Sequence, residues 1–286
     1  MLMTDDLVLA FEVKPLGVRG RIVRLGSVVD DILRRHDYPP AVSALLAEAV
    51  ALTALLGAAL KFEGKFILQT KTDGPVDMIV ADFLSPFGLR GYARFDKEKV
   101  AGLTTQAELL GQGYLAMTVD QGQEMERYQG IVALDGSDLT VAALAYFAQS
   151  EQIPTTIRLA AGPLITRGGN PSWRAGAIMV QHLPREGGAH DDWEKARILL
   201  ETVEAHEMLD PTLGPESLLY RLYHEDGVTV YPGTPLQRHC TCSRASVLEM
   251  LQGFSAEDRA DMVENSRIGV TCEFCSTRYD FDPALP

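Results

Sequence analysis

The chain predicts an α+β protein: an N-terminal antiparallel-sheet domain with packed helices, a helical linker and a small cysteine-bearing C-terminal domain. Three observations carry that expectation. Short apolar stretches recur between glycine turns up to about residue 183, as in turn-linked antiparallel sheets. After Leu183-Pro184 the composition turns polar and acidic. The chain's four cysteines, Cys240, Cys242, Cys272 and Cys275, all lie near its C-terminus. The expected domains are residues 1–184, 185–238 and 239–286.

The strands expected in the first domain are LVLAFEV (7–13), GRIVRL (20–25), KFILQTK (65–71), VDMIVADF (76–83), RGYARF (90–95), YLAMTVD (114–120), GIVAL (130–134), TTIRLAA (155–161) and GAIMVQHL (176–183). Asp73-Gly74, followed by Pro75, marks a hairpin between the third and fourth. Two helices interrupt them. One is the Ala-rich segment Ala41–Leu60 after Pro39-Pro40. In the other, Leu139, Ala142, Ala143, Tyr146 and Phe147 form one apolar stripe, with Ser137 placed to cap the start. Ala41–Leu60 has the length of a membrane span, but it is built largely of alanine and carries Glu48 near its middle, where an acid is costly in lipid. A buried or oligomer-facing helix fits it better, and no membrane partner is expected.

Arg185-Glu186-Gly187-Gly188 opens a polar joint, and residues 185–238 hold eleven Asp/Glu against five Lys/Arg. Helices are expected over Asp192–Leu209 and Pro215–His224, with Leu199, Leu200, Val203 and Leu209 as a modest apolar face. Isolated short helices are marginal in water, so these hold their shape by docking elsewhere. They are either a solvated connector or a docked segment that can be released.

In the last section Ser243 caps a helix to about Gln252, closed by Gly253, and Ser255-Ala256-Glu257-Asp258 has the form of a capping box. IGVTCEFCSTRYDFD alternates like a hairpin with CEFC at its turn. A unit of fewer than fifty residues is too small to hold itself by core burial alone, so it needs a staple.

The overall charge excludes some functions. A formal charge of −13 and a pI near 4.9 argue against a nucleic-acid partner, which usually needs a basic face. MLMTDDLVLAFEV shows no basic region followed by an apolar one, so no export signal is expected, and clustered cysteines then favour a reducing, cytoplasmic setting. No GxxxxGK[ST] phosphate loop occurs, His206-Glu207 lacks the second histidine of HExxH, and Gly168-Gly169-Asn170 is a turn without a GxGxxG fingerprint. No catalytic residue is expected, and the chain does not read as an enzyme.

The sulfurs carry the chemistry. HCTC (239–242) and CEFC (272–275) offer two tight pairs, which suit a closed four-thiolate zinc site and equally two disulfides. Residues i and i+2 of an extended segment share a face, so Cys240 and Cys242 can present both sulfurs together. Zinc in such a site supplies about 10–16 kcal/mol, which in so small a unit is folding free energy. Thiolate ligands are also what oxidants attack, and each has a resolving partner nearby. A Cys240–Cys242 disulfide starts from Cα atoms about 6.5–7 Å apart, the far edge of disulfide geometry, so the backbone must bend to form it. Oxidation would then eject zinc and remove the staple together. The alternatives are a purely structural zinc site, a site with His239 replacing one cysteine, a zinc-ribbon module for nucleic acid, and a dithiol oxidoreductase. With four sulfurs present His239 is better a neighbour, and Cys272–Cys275 is not at the strand-to-helix start that thioredoxin-type chemistry uses.

HCTCSRASVLEML and VTCEFCSTRYDFD resemble the paired-cysteine signature of the redox-regulated chaperones of the heat shock protein 33 family. The resemblance extends to YQGIVALDGSDLTVAALAYFAQSEQIPT (128–155), RGYAR (90–94), TDGPVDMIVADF (72–83) and AGAIMVQHLP (175–184). Thr241 departs from the charged residue the family often has there and leaves the ligands intact. The resemblance implies a cytosolic, ATP-independent holdase, inactive when reduced with one Zn2+ on Cys240, Cys242, Cys272 and Cys275. It implies that oxidation pairs Cys240 with Cys242 and Cys272 with Cys275, releases zinc, unfolds the switch and loosens the linker. Unfolding client proteins would bind the exposed surface, the active form would be a homodimer, and clients would pass to ATP-dependent foldases.

Overall fold

A hairpin begins the described chain: β1 (Leu7–Val13) and β2 (Val18–Leu25) pair from Leu7↔Arg24 to Val13↔Val18. The computed structural model describes residues 5–60, 63–122, 125, 127–166, 168–183 and 190–284. Helices α1 (Ser27–Leu33) and α2 (Pro40–Gly57) come next. An antiparallel run follows: β3 (Lys65–Thr72), β4 (Met78–Leu84), β5 (Gly88–Arg94), the short α3 (Gln106–Leu110), β6 (Gln112–Asp120) and β7 (Tyr128–Asp135). α4 (Leu139–Tyr146) runs into a π-helical turn at Phe147–Glu151, and the hairpin β8 (Thr155–Leu164) and β9 (Ser172–His182) returns to β2. Then come α5 (His190–Glu201), α6 (Ala205–Leu209), α7 (Pro215–Tyr223) and three two-residue strands, β10 (Thr229–Val230), β11 (Thr234–Pro235) and β12 (Gln237–Arg238).

These strands form two sheets within one compact unit, residues 1–238; residues 239–286 are a second unit. The first sheet has the order β10-β1-β2-β9-β8, with β11 also on β1. The second has the order β12-β5-β4-β3-β6-β7. Only β12 adds in parallel, on β5. The expected hairpin at Asp73-Gly74 joins β3 to β4, but through a longer loop. Gly74 and Val76 N–H donate to Leu110 and Leu109 carbonyls, and the Asp73 carboxylate accepts from Gln112 N–H at 2.7 Å.

α2 explains why there are two sheets. Its sequence is apolar all round, so a single flat partner would leave half of it wet. It buries 14 of its 18 residues, against β2, β8 and β9 of one sheet and β3, β4 and β5 of the other. The packing is close enough that a Cβ on Gly57 would meet the Phe83 ring at 2.6 Å. This helix is long and apolar enough to cross a membrane, but protein covers it here.

Some local expectations shift by a residue or an element. Asp138, not Ser137, caps α4: its Oδ1 accepts from Val141 N–H at 2.7 Å. The helix expected over Asp192–Leu209 is two helices, because Glu204 caps a new start with Glu207 closing the box. The polar joint at 185–188 lies outside the described residues.

Glu48, on α2, accepts a short hydrogen bond from the Gln106 side-chain amide, and Gln106 Oε1 accepts from Leu139 N–H at 3.0 Å. One acid thus ties α2 to α3 and to the start of α4. Burial, reinforced by Asp138, raises its carboxyl to about 7. Below pH 4.5 Glu48 is protonated in the folded and unfolded chain alike and costs nothing. Between pH 4.5 and 7 the unfolded chain ionises first, so stability falls as pH rises, then levels above pH 7. At about 1.4 kcal/mol per pKa unit the full cost is about 3 kcal/mol. Glu48→Gln is expected to stabilise the protein by about 2–3 kcal/mol at pH 8 and not at pH 4. Urea melts at the two pH values check this, and an equal effect at both would refute it.

Candidate metal and redox centre

The second unit has little to hold it apart from its sulfurs. α8 (Arg244–Gln252) is capped by Ser243, whose Oγ accepts from Ser246 N–H at 3.0 Å. α9 (Ala256–Asp261) is capped by Ser255 with Asp258 closing the box. β13 (Val263–Glu264), β14 (Arg267–Thr271) and β15 (Arg278–Phe281) make a small antiparallel sheet in register Ile268↔Phe281 to Thr271↔Arg278. Val247, Leu251, Ile268 and Phe281 are the unit's buried core, with Leu248, Met262, Val263, Val270 and Tyr279 partly buried against them. The Arg244 guanidinium lies 4.5 Å from the centre of the Phe281 ring.

Cys240 and Cys242 precede α8, and Cys272 and Cys275 stand in the loop joining β14 to β15. Two backbone bonds fold that loop into a knuckle: Cys272 N–H donates to Thr277 O at 3.0 Å, and Ser276 N–H to Cys272 O at 2.8 Å. Ser276 takes the left-handed conformation, φ 54°, that the reversal requires. The four Sγ atoms lie within 4.8 Å of one another and can hold a metal ion. Sγ separations are 3.3 Å for Cys240–Cys242, 3.3 Å for Cys242–Cys275 and 3.8 Å for Cys240–Cys272. All four predicted sulfurs are therefore brought together, and His239 is outside the cluster.

Two residues beside the cluster were not singled out by the sequence. The Tyr279 hydroxyl donates to Cys242 Sγ at 3.3 Å, and Thr277 Oγ1 lies 3.2 Å from Cys275 Sγ. Their alternation on the β15 side of the hairpin, two residues apart, was the one clue available. They differentiate the thiols. Burial opposes ionisation of Cys275, but hydrogen bonds from the Thr277 hydroxyl and backbone, and from Cys242 and Cys240, bring it down to about 6. Cys242 is pushed up to about 12, by burial first and by its sulfur neighbours next, against the Tyr279 bond. Burial also raises Cys272. A metal ion is what allows all four to ionise together.

The first unit presents the other notable surface. Leu7, Leu9, Phe11 and Val13 of β1, Val18 and Ile22 of β2, and Ile178 and Val180 of β9 form an apolar face opposite the α2 side. The acidic segment covers it: Trp193, Ala196, Leu200, Val203, Met208, Leu218, Leu219 and Tyr223 are buried there. A Cβ on Gly20 would meet Phe11 Cζ at 2.2 Å, so glycine is what lets that ring lie flat on the sheet and stack on Tyr223, centroids 6.1 Å apart. Three arginines of the sheet bond carbonyls at the end of α6 and in the loops on either side of it. Arg24 donates to Leu213 O (2.8 Å) and Asp210 O (2.6 Å), Arg174 to Leu209 O (2.6 Å) and Arg158 to Val203 O (2.9 Å). Asp5 pairs with Arg174 and lies 3.7 Å from Arg24.

Fold and site together define a class: a two-sheet α+β unit with a helix-covered apolar face, continued by a module built on a metal-competent cysteine cluster. Residues 6–282 match the family model described as Hsp33 protein. The chain is 46% identical over 289 residues to the 33 kDa chaperonin of Caulobacter vibrioides (strain NA1000 / CB15N), covering 98% of this chain and 95% of that one. Against the 33 kDa chaperonin of Yersinia pestis (strain Pestoides F) it is 36% identical over 267 residues, covering 93% and 88%. The crystal structure of the Thermotoga maritima 33 kDa chaperonin superposes with a TM-score of 0.81 at 25% identity, covering 98% of this chain and 96% of that one. The chain belongs to the Hsp33 family of chaperones.

The docked cover has a direct test. Leu219 is fully buried between α7 and the sheet, and Leu219→Ala is expected to cost about 2–5 kcal/mol. Hydrogen exchange should show α5–α7 losing protection while β3 and β4 keep theirs. Loss spread evenly over the unit would mean that the cover and the sheets open as one.

Proposed function

We propose that this chain is a redox-regulated, ATP-independent holdase in which the cysteine cluster controls how firmly the helical cover is held. The observation that carries this reading is the cluster itself: four sulfurs join the two ends of a unit whose apolar core is four side chains. The ion that suits it is one Zn2+. Zn–S bonds of about 2.3 Å in a regular tetrahedron put sulfurs about 3.8 Å apart, close to the separations of 3.3–3.8 Å found. Four thiolates with no histidine or carboxylate make a closed, structural kind of site. The reading therefore includes no catalytic step.

In the proposed cycle the reduced, zinc-bound form is inactive. An oxidant such as a peroxide takes two electrons from each cysteine pair and is itself reduced to water. Cys240–Cys242 and Cys272–Cys275 disulfides form, and zinc leaves because its thiolate ligands are gone. Proximity in sequence supports those pairings, each cysteine having its partner in the same short motif. The unit then lacks the free energy that folds it. Its loss reaches the first unit through the chain: only His239 separates Cys240 from β12, and β10, β11 and β12 are pairings of two residues each. Release of α5–α7 would bare the apolar face of β1, β2 and β9 to unfolding client proteins.

This proposal divides the chain by role into a chaperone core (1–184), a releasable linker (185–238) and a switch (239–286). It places the protein in the reducing cytoplasm, expects a homodimer when oxidised, and hands clients to ATP-dependent foldases. A thermally aggregating client mixed with reduced or oxidised protein, with zinc release followed in parallel, tests it. Suppression of aggregation is expected only after zinc is lost, and equal protection in both states would defeat the reading. Cys272→Ser is further expected to weaken zinc binding and to make residues 190–224 protease-sensitive without oxidant. Unchanged cleavage there would break the link between cluster and cover.

A further inference from the structure

The segment 128–155 stands out in the sequence, and the proposed switch makes no use of it. In the first unit it walls a cleft of about 170 Å³, set between β2 and β9 on one side and β3 and β6 on the other, at the C-terminal end of α2. Leu56, Phe66, Met117, Phe147 and Met179 supply an apolar lining. Arg19 and Arg21 line the same cleft from β2, two positions apart and so on one face of the strand. Among the described residues neither guanidinium has a hydrogen-bond or ion-pair partner. Burial, and then repulsion from Arg19, push Arg21 below its ordinary value. The lining includes one carboxylate, Glu151, whose Oε1 accepts from the Tyr146 hydroxyl at 2.8 Å.

The backbone here is also unusual. α4 ends in the π-helical turn Phe147–Glu151, and Gln152 follows with φ 53°. π-turns are rare and concentrate at functional sites. This one places Tyr146 and Phe147 edge to face, 5.6 Å apart, on the cleft wall.

Arg21, half-buried, and Arg19, at the exposed rim, make no ion pair with Glu151 and favour an added anion, and a planar guanidinium pair matches a carboxylate. The volume limits the rest of the ligand, since an apolar cavity of about 150 Å³ takes one benzene ring. Methionine sulfurs and aromatic edges favour an aromatic body over an aliphatic one. We propose that this cleft binds a small aromatic monocarboxylate, with its ring against Leu56, Phe66, Met117 and Phe147 and its carboxylate on Arg19 and Arg21.

Benzoate and its neutral counterpart benzamide can be titrated into the full-length protein under reducing conditions, with methionine methyl groups as the NMR reporters. Benzoate is expected to shift the Met117 and Met179 signals saturably, and benzamide to bind at least about tenfold more weakly. Arg21→Gln should weaken benzoate about tenfold and leave benzamide unchanged. Arg19→Gln, at an exposed position, gives the same comparison if Arg21→Gln unfolds the protein. Equal affinity for the two compounds, no shift at either methionine, or undiminished benzoate binding in the folded variants would overturn the proposal.

Discussion

The first sheet is apolar on both faces, and most of the architecture follows from covering it. Val8, Val23, Leu25, Ala177 and Met179 point to one side; Leu9, Phe11, Ile22, Ile178 and Val180 point to the other. An antiparallel sheet can leave one face in water only if that face is polar. Here neither is. α2 covers the first side and, being apolar all round itself, recruits the second sheet as its own far wall. The second side falls to α5–α7, which come from the most acidic part of the chain.

The two covers differ in kind. α2 lies between sheets and meets them through alanine and leucine with almost no polar contact. The α5–α7 cover combines apolar burial with bonds from Arg24, Arg158 and Arg174 to carbonyls at the end of α6 and in the adjoining loops. Leu209 and Asp210 close α6, where the helix dipole is negative, and Val203 and Leu213 lie in the loops on either side of it, so arginine meets carbonyls that the helices leave without partners. Such bonds fix position. They are also exchangeable for water once the segment lifts, which makes a polar-anchored cover less costly to undock than a purely apolar one.

Much of this was legible in the sequence, and the failures have physical causes. The long strands were found because glycine and proline punctuate them, and the C-terminal helices because Ser243 and Ser255 cap locally. The cysteine cluster was legible because ligand spacing is a property of the chain. α1 was not found: its start is held by Asp6, whose carboxylate accepts from Gly26, Ser27 and Val28 N–H at 2.9–3.1 Å across about twenty residues of sequence. β10–β12 are too short for any periodicity and exist only through their partners. The acidic segment looked weakly apolar because Trp193, Met208, Leu218 and Tyr223 come from three separate helices, and only docking assembles them into one face. Thr277 and Tyr279 became visible only when the hairpin turned them to the sulfurs.

Under the proposed function, a small module governs a larger surface, and the magnitudes bear on how. Moving a two-state equilibrium from 1:99 to 99:1 takes about 5.5 kcal/mol. A four-thiolate zinc site contributes about 10–16 kcal/mol at neutral pH. The four buried side chains of the second unit contribute roughly 6–12 kcal/mol, which alone does not offset the entropy of ordering residues 239–286. With zinc bound as proposed, one reversible chemical event decides whether the module folds. For that event to matter at the sheet, the helical cover has to be docked by only a few kcal/mol. Short helices and a charged composition work against docking, in opposition to the apolar side chains the cover buries. A more apolar cover, packed as α2 is packed, would hold the sheet shut whatever the cysteines did, and a wholly polar one would never close it.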